Sequence, residues 1–405
     1  MATPPSAASQ SGQPGHAASA ARVALVGVHG FGTHHLGNLK RLQEAGVVDL
    51  VAVADPQPPE PGSVPATAAV FPGLTELLAG TPDLDVIIVA TPIQTHAPLG
   101  LAALATTADL YLEKPPVASL ADFNTLCDAA QASGRSVQIG FQSLGSHALA
   151  AIEELITNGT IGTLEGISAT GRWVRDRAYF KRSRWAGKRS IDGVDVVDGV
   201  ATNPLAHAVA TALRIAGART TADVASVETD LYRANDIESD DTSVIRVRTA
   251  TGLPITCALT LCAGESVEPY VTLHGSAGTA VFHYTEDRLV VGTSAGQTEK
   301  TYGRDDLTAN LIAHRNSGAE LISPITDSGA FMLVLEAIRT APAPTPIGPQ
   351  YLRWEGEGDA ARAVVIGLED VLERATREHA TFSELGVPWA VSAAPASVSA
   401  AFRPA

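Results

Sequence analysis

Between Arg22 and Phe141 short, almost wholly apolar runs alternate with longer segments whose apolar positions recur every three to four residues. The runs are Arg22–Val28, Val48–Ala54, Asp85–Ala90, Asp109–Leu112 and Ser136–Phe141. Runs without polar alternation are the pattern of parallel strands covered on both faces. Helical spacing fits Thr33–Glu44, Pro98–Ala105 and Leu120–Ser133. Strand and helix in strict alternation predict an α/β domain with a doubly wound parallel sheet over 22–144.

Beyond that point the pattern changes. Ser146–Asn158 predicts an amphipathic helix closed by Asn158-Gly159, and Leu164–Thr170 a strand. Asn203-Pro204 suits a helix start, with Asn203 as N-cap, Pro204 in the first turn and the helix running to about Ala216. From Ala225 the chain reads as successive antiparallel strands: Thr242–Thr249, Ile255–Leu261, Tyr270–Gly275, Thr279–Tyr284 and Arg288–Gly292. Helices are expected at Phe331–Thr340 and Asp359–His379, joined by the proline-rich linker 341–346. This predicts a second, α+β domain over 145–390 with an open, mostly antiparallel sheet. Residues 1–21, rich in Ala, Ser, Pro, Gly and Gln, and residues 391–405 read as disordered tails.

Candidate chemistry begins where the first strand meets the first helix. Gly27, His29, Gly30, Phe31 and Gly32 form a glycine-rich turn ahead of a helix N-terminus, an arrangement that holds a pyrophosphate. The second strand ends at Asp55, placed to bind ribose hydroxyls and to repel a 2′-phosphate, which favours NAD over NADP. His29 occupies the position where such turns usually carry their second glycine. Either Gly30 gives the close approach and His29 turns outward, or cofactor binding is weakened. The fourth run delivers Glu113-Lys114-Pro115-Pro116, and the prolines stop the strand, leaving Lys114 at the ligand end of the sheet.

The glycine turn, Asp55, Thr91-Pro92-x-x-x-His96 and Glu113-Lys114-Pro115, in this order, resemble the Gfo/Idh/MocA family, the glucose–fructose oxidoreductase and inositol dehydrogenase group. The resemblance runs from Arg22 to about Trp389. It implies an NAD-dependent oxidoreductase acting on a sugar, cyclitol or sugar acid, with Thr91, Pro92, His96, Glu113 and Lys114 at the cofactor. It also implies that Lys114 assists proton transfer and that Asn203 and His207 stand where the family has an acid–histidine pair. A neutral Asn203 cannot raise the basicity of His207 as a carboxylate would, so either His207 acts near its ordinary pKa or Lys114 carries more of the transfer. In the family the outer sheet face forms a dimer or tetramer interface. Relatives that oxidise a sugar transiently to cleave a glycosidic bond, and non-catalytic dinucleotide- and sugar-sensing regulators, are the competing readings.

Composition narrows the picture further. The chain has 405 residues and a net charge of −15, which argues against a nucleic-acid or anionic-membrane partner. No apolar run is long enough to span a bilayer, and the N-terminus lacks a basic, then apolar, export signal. Cys127, Cys257 and Cys262 contain no CxxC pair and read as reduced thiols, Cys257 and Cys262 on opposite faces, in a cytoplasmic protein. The histidines are scattered, so no metal is expected. One basic stretch, Arg172–Lys188, stands out: it holds two of the four tryptophans and reads as a lid. Arg172, Tyr179, Arg184 and Trp185, with Asn203 and His207, are the candidate substrate contacts.

Overall fold

The computed structural model describes residues 19–390 and 396–399. Six parallel strands form the first sheet: β1 (Ala21–Val26), β2 (Val48–Ala54), β3 (Ala69–Phe71), β4 (Val86–Val89), β5 (Asp109–Leu112) and β6 (Val137–Ile139). Their spatial order is β3-β2-β1-β4-β5-β6, so the connection reverses direction between β1 and β4. Ligands of such sheets bind in the crevice beyond the carboxyl ends of the strands at that switch. β4 and β5 are buried at every position, which accounts for their apolar sequences, broken only by Asp109. Around the sheet run α1 (Gly32–Glu44), α2 (Leu74–Gly80), α3 (His96–Leu104) and α4 (Leu120–Ser133). One apolar core joins α1, through Leu36, Leu39 and Leu42, to Val23, Leu25 and Ile88 of the sheet.

The second domain opens with α5 (Ala148–Thr157), β7 (Leu164–Val174), the short α6 (Arg177–Lys181) and a hairpin of β8 (Ser190–Ile191) and β9 (Val194–Asp195). After α7 (Ala206–Ile215) come β10 (Val224–Arg233), β11 (Thr242–Thr249), β12 (Pro254–Thr260), β13 (Cys262–Gly275), β14 (Gly278–His283), β15 (Arg288–Thr293) and β16 (Gly296–Thr301). The sheet is mixed rather than a plain antiparallel meander. β7 sits between β12 and β13 and pairs in parallel with β12, because the chain between them includes the α7 crossover. The all-polar, fully exposed β16 escaped sequence reading because it has no apolar alternation.

Two further departures concern helices. α8 (Leu307–Ser317), not expected, returns to the first domain: Leu307, Leu311 and Ile312 enter its core, and Arg315 pairs with Asp85 and Asp109 at 3.0 and 3.1 Å. The chain thus crosses back to the first domain ahead of α9 (Gly329–Thr340). The helix expected over 359–379 is shorter. A short β17 (Thr345–Pro346) and β18 (Leu352–Glu355) come first, and β18 pairs with β19 (Arg362–Val365). Only after Gly367, at φ +71°, does α10 (Leu368–Glu378) begin.

α7 and α9 cover one face of the second sheet, whereas α10 and the β18–β19 hairpin cover part of the other. Cys257 and Cys262, both buried, fall in these two separate cores, as their spacing implied. Of the expected C-terminal tail, β20 (Ala396–Ser399) pairs antiparallel with β10. The rest of both expected tails, apart from residues 19–21, lies outside the described residues. Among the described residues no helix is long and apolar enough to cross a membrane.

Candidate active site

The glycine turn lies at the carboxyl end of β1. Gly27 has φ +89°, and a Cβ there would meet Ala90 O at 2.5 Å; one on Gly32 would meet Gly27 O at 2.1 Å. Gly27 is therefore required by contact and by conformation, Gly32 by contact alone. Gly30, at φ +56°, is open on all sides, and the preceding His29 is half-buried with no partner for its Nε2. His29 thus does not turn fully outward. Phe31 is 46% exposed at the start of α1, where no side chain caps the helix and no acid occupies the first turn. That N-terminus keeps its positive partial charge for an anion. Asp55 accepts hydrogen bonds from Val28 N at 3.0 Å and Gln57 N at 2.9 Å, which seats its carboxylate beside the turn. An uncapped helix start, an orphaned His29 nitrogen and an anchored acid at the end of β2 fit a dinucleotide.

The Thr91-Pro92 turn packs on Gly27 through Thr91 Cγ2. His96 and Glu113, expected at the cofactor, are both buried with hydrogen-bond partners inside the chain. His96 is fully buried, its Nδ1 facing the carbonyls of Pro115 (3.0 Å) and Pro116 (3.1 Å) and its Nε2 that of Thr91 (2.8 Å). Burial pulls its pKa below the ordinary value, against the opposing pull of those carbonyls. Its work is to clamp the lysine-bearing segment to the Thr91 turn. Glu113 is buried as well, 2.8 Å from His35 Nε2 and 3.2 Å from Gln142 Nε2, and leaves no room for a side chain at Gly140. His35, unremarked in the sequence because it looks like a helix surface residue, ties α1 to the end of β5.

Lys114 remains in the crevice, partly open to solvent. Its Nζ donates to Asn203 O at 3.1 Å and to Asn203 Oδ1 at 2.9 Å. Burial lowers its pKa; Glu113 and Asp198 act to raise it and Arg182 to lower it. Asn203 is not a helix cap: α7 starts at Ala206, after Leu205, with no capping side chain. Instead its Nδ2 donates to Asp198 Oδ1 at 2.6 Å. Nor does Asn203 bond His207. His207 Nδ1 lies 3.3 Å from Ser143 Oγ, which accepts from Thr211 at 2.9 Å, and the ring meets Phe141 edge-on at 5.9 Å. Burial, then the charges of Lys114 and Arg304, pull the His207 pKa down to about 3, far from the ordinary value anticipated as one option. Asp198, buried and bonded to Gly187 N at 2.7 Å, went unrecognised as a site residue; nothing local distinguishes it.

The basic stretch, expected as a lid, is a stack of guanidinium groups on aromatic rings. Arg175 lies over Trp173 (4.8 Å) and Tyr179 (5.0 Å), and Arg182 over Tyr179 (3.7 Å) and Trp185 (4.6 Å). Arg172 is elsewhere. It shares its β7 face with Gly166 and Ser168, which meet His379 and His274, while Gly171 meets Leu205 ahead of α7 on the opposite face. Strand alternation thus turns Arg172 away from Lys114. Arg184 and Trp185, with Gln94, Ile191, Asp192 and Val194, line an open cleft of about 470 Å³. Gln94, from the Thr91-Pro92 turn, presents a buried Oε1 without a partner. Lys114 does not line that cleft; Arg182, on Trp185 and 3.5 Å from Asp198, connects the two.

These features define a two-domain dinucleotide-binding protein with an amine where the domains meet. Residues 21–141 match the family model described as oxidoreductase family, NAD-binding Rossmann fold, and residues 149–281 match the GFO/IDH/MocA C-terminal domain. The chain belongs to the Gfo/Idh/MocA oxidoreductase family. It is 30% identical to the inositol 2-dehydrogenase of Acidothermus cellulolyticus over 145 residues, 35% of this chain and 42% of that relative. It is 24% identical to the myo-inositol 2-dehydrogenase of Thermotoga maritima over 37% of this chain and 45% of that relative. The matched stretch therefore spans less than half of these relatives. The WlbA dehydrogenase from Bordetella pertussis, solved with NADH and UDP-GlcNAcA, shares the fold at a TM-score of 0.64 and 22% identity, over 79% of this chain and 95% of that one.

Proposed function

We propose that the protein is an NAD-dependent dehydrogenase that moves a hydride between nicotinamide C4 and a carbinol carbon of a sugar, cyclitol or sugar acid. The observation that carries this reading is the placement of Lys114. Its amine stands at the carboxyl end of β5, gripped by both oxygens of Asn203 from the second domain. Bound NAD supplies the hydride acceptor; the chain supplies orientation and proton handling. The α1 N-terminus and Gly27–Gly32 would hold the pyrophosphate and Asp55 the adenosine ribose, with its charge disfavouring a 2′-phosphate.

In oxidation, neutral Lys114 takes the hydroxyl proton, and in reduction its ammonium returns it. A lowered pKa increases the neutral fraction near neutrality. His207, uncharged above about pH 3, orients the hydroxyl by hydrogen bonding and is not the resting base. Trp185 and Arg184 in the cleft suit a polar ring, the aromatic face stacking and the guanidinium bonding hydroxyl or carboxylate. Inositol dehydrogenases among the relatives and a nucleotide-linked sugar acid in a structural neighbour support that substrate class. The outer face of β13–β15, with Tyr270, Val281 and Val290 half-exposed, is where a second copy would dock.

A panel of polyols, cyclitols, sugar acids and glycosides with NAD and with NADP, followed by absorbance of the reduced nicotinamide, tests the proposal. Reduction of NAD by at least one polyol, strongly lowered in Lys114→Ala, is expected. Tight NAD binding without reduction by any of them would refute it, and sugar release from glycosides without net NADH would point to redox-assisted cleavage.

A further inference from the structure

Asn203 is uncharged, yet a carboxylate stands directly behind it. Asp198 Oδ1 accepts from Asn203 Nδ2 at 2.6 Å, and Oδ2 accepts from Gly187 N at 2.7 Å. Its side chain is only 5% exposed. The loop that carries both residues is tightly fixed. Val197, β-branched, is held at φ +52°, a conformation such residues rarely adopt. The Thr202 hydroxyl bonds Val197 O and the amide of Gly199. A Cβ on Gly199 would meet Asp240 Oδ1 at 2.1 Å, so the buried Asp240 backs the loop from below.

This geometry settles which way the Asn203 amide faces. An asparagine alone presents either its oxygen or its NH₂ to a neighbour. A carboxylate accepts only, so Asp198 draws the NH₂ to itself and leaves Oδ1 for the Lys114 ammonium. We infer that Asp198 is the positioning carboxylate of this site, acting on Lys114 through the Asn203 amide and supplying the negative charge that Asn203 lacks. The inference rests on the proposed dehydrogenase reading for what Lys114 does, but not for the relay itself. The charged or titratable groups around Lys114 are Glu113 from its own segment, Asp198 and Arg182 from the second domain, and the uncharged His207.

The test is competitive amine labelling of Lys114 across pH, read by peptide mass spectrometry, which needs neither cofactor nor substrate. Asp198→Asn removes the charge and the acceptor-only constraint, and should move the Lys114 labelling midpoint down by about one pH unit. Adding Asn203→Asp in the same protein returns a carboxylate to the lysine and should bring the midpoint back to or above the starting value. An unchanged midpoint in Asp198→Asn overturns the inference, as does a lowered one that the second substitution fails to restore. Should Asp198→Asn not fold, Asn203→Ala cuts the relay while Asp198 stays on Gly187, and the same downward move is expected; its absence overturns the inference. In turnover, the rising limb of oxidation and the falling limb of reduction should follow the labelling midpoint in each variant. A silent polyol panel with shifted labelling would refute the dehydrogenase reading and leave the relay standing; the reverse pattern would do the opposite.

Discussion

His207 gives the most exacting test of the electrostatics. Its pKa falls to about 3 in the folded protein, against about 6.5 in an unfolded chain. The unfolded state therefore binds a proton near pH 6.5 that the folded state refuses until about pH 3, and stability is lost as pH falls through that window. Between pH 7.5 and 4.5 the unfolded histidine gains about two powers of ten in protonation while the folded one stays neutral. At about 1.36 kcal/mol per unit this amounts to about 2–3 kcal/mol, an upper figure because part of the ring reaches solvent. Urea unfolding of wild type and His207→Gln at both pH values measures it. The other histidines with lowered pKa (His96, His274, His283 and His379) contribute equally to both proteins and cancel. Wild type should lose about 2–3 kcal/mol more than the variant between the two conditions. Equal losses would mean that His207 titrates normally, and would restore it as a candidate base at neutral pH.

Lys114→Ala should lower turnover by about 10²–10⁴-fold while NAD still binds, checked by steady-state kinetics and fluorescence titration. With wild type, oxidation should rise with pH through a group below the ordinary lysine value of 10.5, and reduction should fall through the same group. Gly32→Ala should cost more than about 1 kcal/mol in thermal unfolding and also weaken NAD, since its Cβ would strike Gly27 O. Asp55→Ala should weaken NAD at least several-fold and narrow its advantage over NADP, read by titration with both nucleotides.

Most of the first domain was legible because β1, β4, β5 and β6 are almost wholly buried and advertise it in largely apolar runs, whereas the exposed three-residue β3 and the short α2 beside it gave no such signal. α8 was not, because its apolar residues Leu307, Leu311 and Ile312 are few and its value lies in a distant core. Motifs were readable as motifs and not as roles. His96 and Lys114 stand in recognisable places, but the Pro115 and Pro116 carbonyls that claim His96 lie 19 and 20 residues further on. Cap chemistry and relay chemistry use the same amide, so Asn203 was read locally and decided by tertiary contact. Arg172 shows the limit of reading a strand without its register: a one-residue shift in parity separates the site from the opposite sheet face.

The geometry around Lys114 also explains why an amine and not a guanidinium serves here. An ammonium has three N–H donors, and Asn203 O and Oδ1 take two of them. The third is left for the substrate oxygen. On losing a proton the amine keeps two N–H groups, enough to satisfy both Asn203 acceptors, and its lone pair falls in the remaining direction. The same posture thus serves to give a proton and to take one, with no rearrangement of the side chain between the two directions of reaction. An arginine would keep the hydrogen bonds but never release the proton in the accessible pH range. Lys114→Arg should therefore retain the interdomain contact and remain inactive in oxidation at every pH.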